Sequence, residues 1–111
     1  KGDQPGINHG TLHYGLPHEE NQGTITLPQG DFSEDFHDFA LVWEPETIRW
    51  YVDGRLFHKA VQWPAAPFHH DMYLILNLAV GGSWVGYPDE TTDFEHAAFA
   101  VDYVRVYQKK P

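Results

Sequence analysis

Asp89, Glu90, Asp93 and Glu95 crowd one short stretch of the chain. Two carboxylates on one face can divide the work of acid and base, and Asp93 and Glu95 would share a face if this stretch were extended. The plainer reading is a solvated acidic loop. Histidine is the second resource, with eight in the chain. His9 and His13 stand at the H-x-x-x-H spacing that gathers two imidazoles on a helix. On a strand they lie about 13 Å apart, too far to share an ion. His69 and His70 are adjacent, so on a strand they would face opposite ways. Neither pair predicts a metal site. Cysteine is absent, which excludes disulfides and thiolate-zinc sites.

Two further residues stand out by their surroundings, in M-Y-L-I-L-N-L-A-V-G-G-S-W over 72–84. Read as a strand, this run puts Tyr73, Ile75, Asn77 and Ala79 on one face. Leu74, Leu76, Leu78 and Val80 take the other. The all-apolar face belongs between two sheets. The face with Tyr73 and Asn77 can line a cleft, or Asn77 can be a buried amide satisfied by backbone groups. Trp84 follows Gly81-Gly82, a pair that gives the backbone freedom. Its ring can stand over a cleft as a flat platform, or fold back to cap the core.

The elements that position these residues read as strands throughout. No helical periodicity of any length occurs, and short β-rich runs alternate with turn residues. Residues 9–15 and 22–27 read as two strands, and 31–36 as a turn with room for one helical turn at Ser33–Asp35. Residues 36–43, 47–53 and 55–60 form a three-stranded meander, its second turn marked by Asp53-Gly54. His37, Trp43 and Trp50 have the spacing of packing residues in that meander. Two prolines make 63–67 a loop. Residues 71–80 read as a long strand covered on both faces, 81–95 as a glycine-, proline- and acid-rich loop. Residues 100–108 alternate cleanly, with Val101, Tyr103, Arg105 and Tyr107 opposite Asp102, Val104 and Val106. The sum is six or seven antiparallel strands in an all-β sandwich.

Composition narrows the partners. The 111 residues suit a single domain with a modest core. A net charge of −9 makes nucleic acid and anionic membranes poor partners and leaves a neutral polymer compatible. No apolar run reaches the roughly 18 residues of a membrane helix. There is no signal peptide, and the start at Lys1 reads as a cut or an imposed boundary. Aromatics reach 15%; most serve as core filling, and some are free to stack on sugar faces.

Five blocks in a fixed order carry a resemblance. T-L-H-Y-G is followed by F-H-x-F-A-L-x-W-E-P-x-x-I-R-W-Y-V-D-G, then P-F, then Y-L-I-L-N-L-A-V-G-G-x-W-x-G, then V-D-Y-V-R-V-Y-Q. Together they span about Gly10 to Gln108, and they resemble glycoside hydrolase family 16, above all its laminarinase-type endo-β-1,3-glucanases. The resemblance implies a concanavalin-like β-jelly roll whose concave sheet carries a glucan cleft. It also implies retaining hydrolysis by two carboxylates about 5–5.5 Å apart, with no cofactor needed for catalysis. In the family those carboxylates stand in E-x-D-x-E or E-x-D-x-x-E, shortly before the T-L-H-Y-G block.

That motif is missing here. Glu19, Glu20, Glu34, Glu44, Glu46, Glu90 and Glu95 are all the glutamates, and none has an aspartate two residues later. Residues 1–111 are therefore expected to be the C-terminal half of such a domain, without its catalytic strand. By the resemblance His13 lies close to the absent carboxylates, in a supporting role, or is a structural histidine. Asn77, Trp84, His13 and Tyr73 are the expected substrate-binding residues. Asp102 matches an aspartate that often holds structural calcium in the family; the alternative is an aspartate held by a backbone or arginine hydrogen bond. The expected partners are β-glucan (β-1,3 or mixed-linkage), and either the missing N-terminal half or a second copy. Secretion is implied by the polymeric substrate. The rival readings are a non-catalytic β-glucan-binding module and a self-pairing structural half-domain.

Overall fold

The computed structural model describes all 111 residues. It contains five strands and no helix: β1 (Ile7–Tyr14), β2 (Glu19–Thr26), β3 (Phe39–Trp43), β4 (Thr47–Val52) and β5 (Arg55–Val61). All five belong to a first unit, Lys1–Tyr73; Leu74–Pro111 is a second.

The first unit holds two antiparallel sheets, β1-β2 and β3-β4-β5. The meander follows its local signals. Asp53 and Gly54 adopt φ of 49° and 75°, the left-handed pair of a two-residue hairpin, and Val52 pairs with Arg55 across them. A register shift lies between Trp50 and Tyr51. Asp53 also ties the turn to the approach to β3. Its carboxylate accepts from the Asp38 amide at 2.9 Å and pairs with His37 Nδ1 at 2.7 Å. His37 packs edge-on against Phe32. The indole of Trp43 donates to the Phe68 carbonyl at 2.9 Å. His37 and Trp43 are thus architectural, as their spacing suggests, and so is Trp50 below.

Side-chain parity on β1 decides how the sheets meet. Gly10, Leu12 and Tyr14 share one face. Leu12 and Tyr14 pack with Trp50 on a small core of Ile48, Ala66 and Phe68. A Cβ on Gly10 would stand 2.8 Å from Trp50, and one on Gly23, its cross-strand partner, 2.5 Å from His58. The glycine pair is therefore the flat place where the hairpin lies on the Trp50–His58 rings, themselves 4.8 Å apart. The proline loop closes the core: Ala66 donates its amide to the Trp63 carbonyl and is buried, as is Phe68.

Three expectations are corrected. The turn at 31–36 contains no helical turn; Asp31 caps it by accepting from the Ser33 amide. β2 begins at Glu19 rather than residue 22, because its polar start pairs with Leu12, His13 and Tyr14. The segments 71–80 and 100–108 are not strands. Tyr73, Leu74, Ile75, Leu76, Leu78 and Val80 are all exposed, so both faces of that run are open rather than doubly covered. Alternation sets which side chains share a face, but a strand also needs a neighbour for its N–H and C=O groups, and these segments have no ladder partner among the 111 residues.

In the second unit a turn at Ser83–Val85 is closed by a bridge between Gly82 and Gly86. Gly82 takes φ of 130°, open only to glycine without strain. Arg105 lies over the Tyr103 ring at 4.2 Å, so these two share a side as their parity implies.

Candidate functional site

The outward face of β1 carries the first group of candidates. Thr11 Oγ1 donates to Gln22 Oε1 at 2.8 Å, and His13 follows two residues on. The His13 side chain is 61% exposed. Its Nδ1 lies 3.0 Å from His18 Nε2 and 3.9 Å from Glu20 Oε2, and the two imidazoles stack at 5.2 Å. Leu12 and Tyr14 are turned inward, so β1 presents one packed and one open face, as alternation requires. β1 pairs with β2 alone, which leaves its other edge without a strand.

Tyr73 ends the first unit and is 85% exposed. In the second unit Asn77 is exposed within the apolar run, and Trp84 stands on the glycine-closed turn and is 60% exposed. Within residues 1–111 both side chains are open to solvent.

The acidic stretch is a pair of local turns. Asp89 accepts from the Thr91 amide and hydroxyl at 2.8 and 2.7 Å. Asp93 accepts from the amides of Glu95 and His96 and pairs with His96 Nδ1 at 2.8 Å. The Thr91 hydroxyl and amide hold the Asp89 carboxyl below the ordinary range, and the His96 amide and ring do the same for Asp93. An acid poised to give up a proton near neutrality needs the opposite shift. The two carboxylates behave as turn caps.

Asp102 is exposed. Calcium takes about six to eight oxygens. His13, His18 and Glu20 are a place where three histidine or carboxylate ligand atoms converge; Asp102 is not among them. The His13–His18 pairing is what spacing along a strand misses: the chain reverses at Gly15, where φ is 80°, and returns His18 to its neighbour.

Comparison with known proteins bears on the whole chain. Residues 6–105 match the Glycosyl hydrolases family 16. The chain is 40% identical to a glucan endo-1,3-beta-glucosidase A1 of Niallia circulans, over 99% of this chain and 18% of that protein. It is 37% identical to a beta-glucanase of Rhodothermus marinus, over 96% of this chain and 41% of the relative. The X-ray structure of an endo-beta-1,3-glucanase from Pyrococcus furiosus superposes with a TM-score of 0.65 at 42% identity, covering 84% of this chain and 39% of that one. The chain thus spans less than half the length of each of these proteins.

Proposed function

The chain belongs to glycoside hydrolase family 16, and on that premise we propose that it forms part of the cleft of a β-glucan hydrolase acting on β-1,3 or mixed-linkage glucan. Its named relatives are glucanases over almost all of its length. The observation that carries the proposal is β1. The strand has an open edge, a packed inner face and His13 on its outer face. In this reading the carboxylate-bearing strand lies against that edge, outside residues 1–111. His13 then hydrogen-bonds one carboxylate or the sugar.

The chemistry is a retaining displacement. One carboxylate attacks the anomeric carbon, the other protonates the leaving oxygen and later activates water. This chain contributes positioning. Asn77 offers an amide that can donate to a sugar hydroxyl or orient a carboxylate. Trp84 offers a flat apolar face for a pyranose ring, and Tyr73 a second aromatic surface. The runs 71–80 and 100–108 gain ladder partners and cover from the remainder of the domain. A calcium ion at Asp102 would draw most of its oxygens from that remainder. Secretion suits a protein whose substrate is a polymer.

The test is complementation. Chain 1–111 is mixed with a segment bearing E-x-D-x-x-E, and reducing-sugar release from laminarin is followed. Activity should appear only in the mixture and fall at least tenfold with Asn77→Ala. A well-folded pair that releases nothing counts against the proposal. A second reading, glucan binding without hydrolysis, is favoured by the exposed Asn77 and Trp84. It predicts laminarin binding by the chain alone, weakened by Trp84→Ala.

A further inference from the structure

We propose that His13, His18 and Glu20 form a three-ligand site for a transition-metal dication of the zinc class, built on the β1–β2 hairpin. The site arises from three pieces of local structure. Antiparallel register sets His13 directly opposite Glu20, and such pairs hold their Cβ atoms about 4.5–5.5 Å apart. Parity turns both side chains to the face away from the core. The reversal at Gly15 brings His18 over the same spot.

The distances suit a metal. One ligand atom from each of the three residues lies within 4.8 Å of the other two. Zinc with bonds of 2.0–2.1 Å in a tetrahedron separates its ligand atoms by about 3.3 Å. The His13 Nδ1 to His18 Nε2 distance is 3.0 Å and the His13 to Glu20 distance 3.9 Å. The first pair needs to open by about 0.3 Å and the second to close by about 0.6 Å, with Glu20 making the larger movement onto the shared centre. Glu20 can supply that movement, since its side chain is 55% exposed. Without metal one ring donates its N–H to the other ring's nitrogen. For both lone pairs to face an ion, that proton moves to the donor ring's other nitrogen or leaves to water.

The donor set selects the ion. Two imidazole nitrogens and one carboxylate suit zinc, nickel and copper better than calcium or magnesium, which favour all-oxygen shells. Three protein ligands leave the fourth position to water. The inference does not depend on the glucan proposal, although the two share His13: the pairing with His18 and Glu20 runs through Nδ1, and Nε2 is left to donate to a carboxylate or a sugar.

The experiment is Zn²⁺ titration of the chelator-treated chain by calorimetry, with Co²⁺ as a visible probe. One equivalent should bind saturably, and His13→Ala or His18→Ala should weaken it at least tenfold and abolish the cobalt bands. His96→Ala, which removes the Asp93–His96 pair, should change neither. In the unsubstituted chain Zn²⁺ should shift the ring resonances of His13 and His18 before those of the other histidines. That readout holds even where a variant folds poorly. Absence of saturable binding, or binding that survives both substitutions and perturbs other histidines first, overturns the proposal.

Discussion

Gly10→Ala probes the contact on which the first unit depends. The new Cβ would stand 2.8 Å from two atoms of Trp50 and 3.0 Å from Phe57. The indole has no easy retreat: Trp50 packs against Ile48, Ala66 and Phe68 with Leu12 and Tyr14. Overpacking of this kind costs about 1–3 kcal/mol. Replacing glycine also restricts the unfolded chain and returns about 0.4–1 kcal/mol. The net loss should be about 1–2 kcal/mol, a downward shift of roughly 1 M in the urea midpoint for a protein of this size. Gly2→Ala is the control, since nothing lies within 4 Å of its Cβ. Gly10→Ala in a Trp50→Leu background should cost less, which assigns the penalty to that ring. An unchanged or raised midpoint for Gly10→Ala would refute the packing of hairpin on meander.

Two more tests probe the meander. The His37 ring and the Asp38 amide hold the Asp53 carboxyl below its ordinary value of 3.8. Its folded-state pKa is depressed, so its contribution is whole above 3.8 and is lost as pH falls through the lower folded value. Asp53→Asn should therefore flatten the acid limb of a melting-temperature profile in that window; an unaltered limb would contradict the pairing. Trp43→Phe removes the donor to the Phe68 carbonyl. It should cost about 0.5–1.5 kcal/mol in urea unfolding, and a variant as stable as the parent would show that the bond carries nothing.

The meander was legible because its signals are local. Asp53-Gly54 fixes a two-residue turn, and the strands on either side alternate within a few residues of it. The hairpin β1–β2 was legible in its inner face, where Leu12 and Tyr14 turn to the core as parity requires. Its start was not, since Glu19, Glu20 and Asn21 have poor strand propensity and are held by pairing with Tyr14, His13 and Leu12. The run around Asn77 shows the converse limit. Its apolar pattern announces a strand between two layers, yet composition cannot supply the neighbours that make a ladder. His13, His18 and Glu20 were missed for a geometric reason: spacing measures distance along a strand, whereas this cluster forms across a reversal. Asp89 and Asp93 are loop acids, as their surroundings in the sequence suggest, and their Asx-type bonds to the amides of Thr91, Glu95 and His96 are the structural cause.

The most direct test of the central claim is reducing-sugar release from laminarin by chain 1–111 alone, its intact mass verified beforehand. None is expected, because no E-x-D-x-E or E-x-D-x-x-E stands in the sequence and Asp93 is committed to capping a turn. Release that persists through repurification would contradict that claim, and would make Asp93 and Glu95 the first residues to replace.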